Sequence, residues 1–419
     1  MLAGPVFARE VVTAPRRARL YVARAAYVLA LLVLLTTAWQ VLAGTQEVRN
    51  LGDLARFGAT VFAILAPLQL AVTTFFAALA AASAVAAEKD RQTLTLLLLT
   101  HLSNVELVLG KLMAAMLSVF MLILAALPLF MLLSLLGGVS FEQIGRVFAV
   151  TVASAFAAGS LGSTLALWRE KTFQTLAMTA MALVIWLAAC EAVARVAATE
   201  GFNTVAALAM GFSPWRAMLA ATRPYPEELP GLGVIGNPVW LFLIVAAAVS
   251  LVLNGIAVWR VRQWNPSQEA GRVMPDTEEG AAETPAVSQQ PAAREVWDNP
   301  IIWREMRTWA YGRKVVVVLL AYLALFTLAF AALYLMGRPP ASLARSDTAL
   351  VIVPFFVLSL VLLNAQSVTA LTSERDARAL DLLLVTDLTP KEFIFGKLGG
   401  IFYNTKEMVV LPLVLCGYL

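Results

Sequence analysis

Residues Glu88–Leu112 read EKDRQTLTLLLLTHLSNVELVLGKL, a polar-ended, leucine-rich segment set between two long apolar runs. The segment recurs. Glu374–Leu398 reads ERDARALDLLLVTDLTPKEFIFGKL, and the two align without a gap at one offset (374 − 88 = 286). Identical pairs are Glu88/Glu374, Asp90/Asp376, Leu94/Leu380, Leu96/Leu382, Leu97/Leu383, Leu98/Leu384, Thr100/Thr386, Leu102/Leu388, Glu106/Glu392, Gly110/Gly396, Lys111/Lys397 and Leu112/Leu398. Shared leucine content does not give so many matches, so the chain carries an internal repeat.

Each copy breaks into two helices. The first carries the leucines and is expected to stop near Thr100 and Thr386. Ser103-Asn104-Val105-Glu106 and Thr389-Pro390-Lys391-Glu392 then form capping boxes. In such a box the hydroxyl accepts from the third amide and the glutamate reaches back to the cap residue. Pro390 falls at the first helical position, where a missing N–H is harmless. A new helix is therefore predicted from Ser103 and from Thr389, running through Gly-Lys into the next apolar run. Glu88 and Glu374, with Asp90 and Asp376 behind them, are read as a first helical turn. There the helix dipole favours each acid by ~0.3–1 kcal/mol. Leu96–Leu98 and Leu382–Leu384 form an apolar run in a short, partly exposed loop, and exposed apolar patches mark contacts.

Outward from the repeat the chain is a membrane protein. Hydrophobic residues make up 60% of it and its mean hydropathy is +0.79, outside the range of soluble domains. Spans are expected at about 21–44, 58–87, 108–137, 146–168, 173–198 and 237–260, then at 315–336 and 349–373. With the N-terminus inside, segments 1–24, 88–111, 168–172, 260–314 and 374–397 hold 22 of the 31 Lys and Arg, which sets that orientation by the positive-inside rule. Residues 408–419, MVVLPLVLCGYL, are too short to span alone and read as the beginning of a third span of the second copy. A truncated chain is the expectation there.

A short interfacial helix precedes each copy. Pro5 starts the first, with Phe7 and Val11 opposite Arg9, Glu10 and Thr13, and with Arg16, Arg17 and Arg19 following. At a second offset (300 − 5 = 295), Pro300, Arg304, Glu305 and Thr308 match Pro5, Arg9, Glu10 and Thr13, and Tyr322 matches Tyr27. Asn299 is a good N-cap, Pro300 a good first residue, and Trp303 and Trp309 suit the interface. Residues 263–295 are Gln, Glu, Ala, Pro, Ser and Thr with almost no large apolar side chain. That composition cannot build a core and predicts a disordered cytoplasmic linker between a first unit, 1–262, and an incomplete second unit, 296–419.

The repeated pattern E-[KR]-D-x(3)-L-x-LLL-x-T-x-L-x(3)-E-x(3)-GKL resembles the cytoplasmic loop between the second and third spans of type-2 ATP-binding-cassette (ABC) exporter permeases. The resemblance covers the first six-span unit and the start of a second. It implies an all-α integral membrane fold and a coupling helix seated in a groove of a separate ATPase subunit. The coupling residues would be Glu88, Asp90, Leu96, Leu97, Leu98, Glu106, Gly110 and Lys111, with Glu374, Asp376, Leu382, Leu383, Leu384, Glu392, Gly396 and Lys397. The helices at Pro5, Arg9 and Glu10 and at Pro300, Arg304 and Glu305 correspond to the family's amphipathic connecting helix. Two ATPase subunits, the lipid bilayer and a second permease unit are the implied partners. Thr199–Asn237 stands where the family has a re-entrant hairpin outside the membrane. From composition alone, with Phe202, Phe212, Trp215 and several prolines, an interfacial aromatic loop serves equally well.

Other chemistry is not indicated. Gly110-Lys111 and Gly396-Lys397 continue with Leu, and Val105 and Lys391 stand where a phosphate-binding loop needs its first Gly. These lysines are expected to snorkel at the cytoplasmic surface, and no cofactor is expected. His101 is the only histidine and falls in the loop, so an intramembrane Ser–His pair is out of reach; Glu227-Glu228 and Glu278-Glu279 lack the following Arg of a Glu-Glu-x-x-x-Arg site. Cys190 and Cys416 form neither a disulfide framework nor a metal pattern. No basic, aromatic-interleaved stretch points to nucleic acid. Glu191 and Arg195 are four apart near the end of the fifth span and read as an ordinary helix pair. Lys406-Glu407 read as the interfacial start of a span. The function expected is a permease subunit that does not itself hydrolyse ATP; a non-transporting anchor that recruits an ATPase is the alternative.

Overall fold

The computed structural model describes residues 4–13, 18–45, 50–91, 93–100, 102–168, 172–199, 208–209, 211–225, 236–265, 300–307, 315–336, 345–376 and 389–418. Nearly all of the predicted linker lies outside the described residues, as do Leu382–Leu384. The described residues are helical, with no strand among them. They fall into two compact units, Met1–Trp264 and Asn265–Leu419.

In the first unit, α1 (Gly4–Thr13), α2 (Ala18–Thr45), α3 (Leu51–Asp90), α4 (Thr93–Leu99), α5 (Asn104–Leu135), α6 (Phe141–Trp168), α7 (Thr172–Thr199), α8 (Pro214–Thr222) and α9 (Pro238–Trp264) follow one another. The second unit holds α10 (Pro300–Arg307), α11 (Val315–Met336), α12 (Arg345–Asp376) and α13 (Pro390–Tyr418). Seven of these helices are long and apolar enough to cross a membrane, and α7 and α11 carry shorter apolar stretches. α3 has 40 residues, about 60 Å at 1.5 Å per residue, roughly twice a hydrocarbon core. It therefore extends beyond any single crossing, and its last turn reaches the repeated hairpin.

As the capping box at Thr389 predicts, one helix, the 29-residue α13, runs from Pro390 through residues 408–418, and it is long enough to span. Lys406 and Glu407 lie in its middle, not at the start of a span. Lys406 sits over the Tyr403 ring at 4.2 Å and 3.9 Å from Glu407.

α6 is the hub of the first unit, packed on α3, α5, α7, α8 and α9. Its seam with α3 is built from small residues: Ala77, Ala78, Ala81 and Ala82 on one side, Ala155, Ala158 and Gly162 on the other. Without a hydrophobic force between helices in lipid, close backbone approach supplies the packing. A Cβ at Gly162 would stand 2.3 Å from the Ala78 carbonyl oxygen, a backbone atom that cannot swing away. At Gly145, on the same helix, a Cβ would meet nothing within 4 Å. Gly162→Ala should therefore lower stability by about 1–3 kcal/mol, whereas Gly145→Ala should leave it unchanged or raise it by up to ~1 kcal/mol. Thermal unfolding of the purified chain in detergent checks the contrast.

α8, between α7 and α9, packs inward. Ala217, Met218 and Ala221 of α8 are fully buried in a core with Phe62, Phe130 and Phe242. Gln143 Nε2 donates to Thr222 O at 2.7 Å, and Arg146 donates to the carbonyls of Arg223 and Pro224. Among the described residues of this connection, α8 is a helix held at its C-terminal end by α6. In the second unit, α13 packs on α10 and α12. The matched Tyr322 stacks on Phe355 at 5.0 Å and shares a 2.6 Å hydrogen bond with Ser359.

Candidate functional site

The hairpin restarts where the capping pattern places it. Ser103 is extended (φ −69°, ψ 150°), its hydroxyl accepts from the Glu106 amide at 3.3 Å, and its own amide donates to Glu106 Oε2 at 3.1 Å. Thr389 does the same with Glu392, at 3.3 and 2.9 Å. α4 ends at Leu99, where the Thr100 hydroxyl donates to Leu97 O at 2.6 Å.

Where the leucine helix starts differs from the sequence expectation. α3 runs on through Glu88 to Asp90, and α4 begins afresh at Thr93. Glu88 and Asp90 are thus in the last turn of a long helix, at the negative end of its dipole. Glu374 and Asp376 are likewise in the last turn of α12. The dipole disfavours acids there, so Glu88 needs a cation. Lys111 supplies it: the two side chains form an ion pair, with Lys111 only 5% exposed. Lys397 is as deep, 4% exposed, and bonds Glu305 at 2.6 Å, itself 2% exposed and also 3.3 Å from Arg304. Neither lysine snorkels at a surface, contrary to expectation. An ammonium kept from water needs a carboxylate, and both have one. Burial alone would raise the Glu305 carboxyl, but its bonds to Lys397 and Arg304 outweigh this and hold it below the usual carboxylate range.

The leucines divide between two faces. Leu94 is buried, and Leu97 and Leu98 pack beside it on Val85, Leu107, Val108, Leu167 and Val261 of the chain's own core. Leu96 and Leu99 point away, 63% and 62% exposed. Leu97 and Leu98 are therefore mainly supports for the hairpin, whereas Leu96 and Leu99 form its free apolar face. Leu99 is a surface residue that the sequence reading missed. The i, i+3, i+4 spacing of Leu94, Leu97 and Leu98 is the pattern of a buried stripe and marks the remaining leucines as outward.

Three further ties fix the hairpin to the first unit, none visible in local sequence. Asn104 Nδ2 donates to Val258 O at 3.1 Å, Arg262 Nε donates to Asn104 Oδ1 at 2.8 Å, and Lys89 Nζ donates to Leu167 O at 2.5 Å. The interfacial helices lie along the restarted helices. A Cβ on Gly4 would stand 3.0 Å from Cβ of Glu106, and one on Gly400 would stand 2.5 Å from Cβ of Glu305. Pro300 opens α10, and Arg9 is exposed on α1. Gly110 and Gly396 are buried beside the lysines and give no docking surface. The side chains of Pro5, Glu10, Asp90, Glu374 and Asp376 lie outside the described residues, as does His101.

Glu191 does not have Arg195 as its described partner. It takes Arg216 of α8, with Nε at 2.9 Å from Oε1 and Nη2 at 2.7 Å from Oε2, and the Ser213 hydroxyl donates to it at 3.4 Å. The side chain of Arg195 lies outside the described residues. The bond to Glu191 also raises the Arg216 pKa. The pair clips α8 to α7, which is a structural role. Among the described residues no group of three or more His, Cys, Asp or Glu side chains is arranged to hold a metal ion.

No family model matches this chain, and neither a curated protein nor a solved structure does. The fold itself defines the class: an all-α integral membrane protein.

Proposed function

We propose that the chain is a membrane-spanning permease subunit of an ABC exporter, driven by ATP hydrolysis on a separate subunit. The observation that carries the reading is the twice-encoded hairpin. In the first unit it is a short helix seated on the ends of several long helices, with Leu96 and Leu99 left bare. Such an element suits force transmission: what pushes on α4 pushes on α3, α5, α6 and α9 together. The resemblance of the repeated motif to exporter coupling loops supports the partner's identity, a pair of ATPase subunits. Their closure would move both hairpins and switch the spans between inward-open and outward-open states. On this reading the N-terminus, both hairpins and the linker face the cytoplasm of a cell membrane, and Thr199–Asn237 faces outside.

A scaffold that recruits an ATPase without transport would carry the same docking face. Reconstitution of the chain and its ATPase in vesicles separates the two. An exporter should show ATP-dependent movement of a co-purifying lipid, ion or small molecule, abolished when the hairpin is disabled; a scaffold should bind the ATPase and move nothing. Orientation is checked by single-cysteine labelling in intact cells. A membrane-impermeant maleimide should miss Ser103→Cys and Ser288→Cys, and labelling of either from outside would contradict the cytoplasmic hairpin.

A further inference from the structure

Two buried lysines, Lys111 and Lys397, stand at the same position of the repeat, yet their described acidic partners come from different elements: Glu88 at the end of α3, and Glu305 on α10. Both elements exist in both units. Glu374 is the repeat counterpart of Glu88, and Glu10 is the counterpart of Glu305. The same pairs of elements pack in both units: the interfacial helix and the preceding long helix each lie on the restarted helix. α10 lies along the start of α13, with Glu305 against Gly400, and α1 lies along the start of α5, with Gly4 against Glu106. By the repeat, Glu10 holds on α1 the place that Glu305 holds on α10, and Glu305 sits beside Lys397, the counterpart of Lys111.

We propose that in each unit one buried lysine is clamped by two carboxylates, from the interfacial helix and from the last turn of the preceding long helix. Glu10 and Glu88 hold Lys111; Glu305 and Glu374 hold Lys397. A lysine ammonium has three donors, enough to bond both acids at once, and a buried cation gains from each. The clamp answers two problems together. It neutralises an acid at an unfavourable helix end, and it satisfies a lysine at the foot of a span. It also joins three elements at one atom, so that the interfacial helix cannot move independently of the hairpin. The inference does not depend on an ATPase partner.

The test is amine acylation of the purified full-length chain in detergent, read lysine by lysine by mass spectrometry. Lys391, exposed at the start of α13, serves as the reference that always reacts. In the wild-type chain Lys111 and Lys397 should be nearly unreactive. Glu10→Gln should raise acylation of Lys111 at least about threefold while leaving Lys397 protected, and Glu374→Gln should do the converse. Glu10→Asp, which keeps the charge, should restore most of the protection of Lys111. The clamp is overturned if Glu10→Gln and Glu374→Gln leave both lysines as protected as before. It is equally overturned if either change exposes both lysines together, since that reports general loosening rather than loss of a local bond.

Discussion

A chain carrying Leu96→Asp and Leu99→Asp is expected to insert into the membrane normally and to lose the ATPase subunit that we propose binds there. Both side chains are more than half exposed and contribute little to the packing beneath α4. Their replacement should therefore leave thermal stability within about 0.5 kcal/mol of wild type, as for surface positions generally. The effect on association should be large. An apolar anchor at the centre of a contact is worth about 2 kcal/mol or more, which is roughly a 30-fold loss of affinity for each residue. Leu97→Asp makes an instructive contrast. It places a carboxylate against Val85, Leu107 and Val261, so it should weaken binding only by unseating the hairpin, with a fall in stability to match. Co-purification and thermal unfolding, run on both variants, distinguish a lost contact from a lost support.

The other large effect should come from Glu305→Gln. It leaves the Lys397 ammonium, 4% exposed, without the Glu305 carboxylate. Breaking a buried pair from one side costs about 3–5 kcal/mol, whereas replacing both partners with apolar groups of similar size is often tolerated. Glu305→Gln should thus destabilise the packing of α10 on α13 far more than Glu305→Leu with Lys397→Met and Glu374→Gln, which leaves no charge of the clamp behind. Acid should mimic the single change. Because the folded-state carboxyl is held below its unfolded value, the pair's contribution is complete above the ordinary carboxylate pKa and drains away as pH falls through the depressed one. Proteolysis at the α10 end, followed from neutral pH to below pH ~4, should show protection fading in the wild type and no such acid-dependent fading in the triple variant.

What could be read from the sequence was local or repeated. The capping boxes at Ser103 and Thr389 follow from side chains three residues apart, and the structure has both. Hydropathy found the long helices. What escaped were contacts between residues distant along the chain. Lys111 looks like a lone charge at the foot of a span because Glu88 comes from another helix. Glu191 has a plausible neighbour at Arg195, while Arg216, 25 residues on, binds it through two nitrogens. The dipole argument for Glu88 and Glu374 failed for a different reason. The alanine-rich end of α3 continues as helix, with neither Gly nor Pro to stop it, so the break falls after Asp90 and the acids sit at the opposite end of a helix from the one expected. The leucine faces were readable and misassigned: counting by three and four from Leu94 separates the supporting pair from the free pair.

The exporter proposal requires the hairpin's bare leucines, Leu96 and Leu99, to touch an ATPase. The direct measurement is photo-crosslinking in native membranes from a diazirine amino acid placed at Leu96 or Leu99, with the same probe at Leu98 as the inward-facing control. Adducts identified by mass spectrometry should contain an ABC ATPase subunit from Leu96 and Leu99, and none or far less from Leu98. If Leu96 and Leu99 give only lipid adducts, or only adducts within the chain itself, the hairpin is not a coupling element and the exporter reading fails with it.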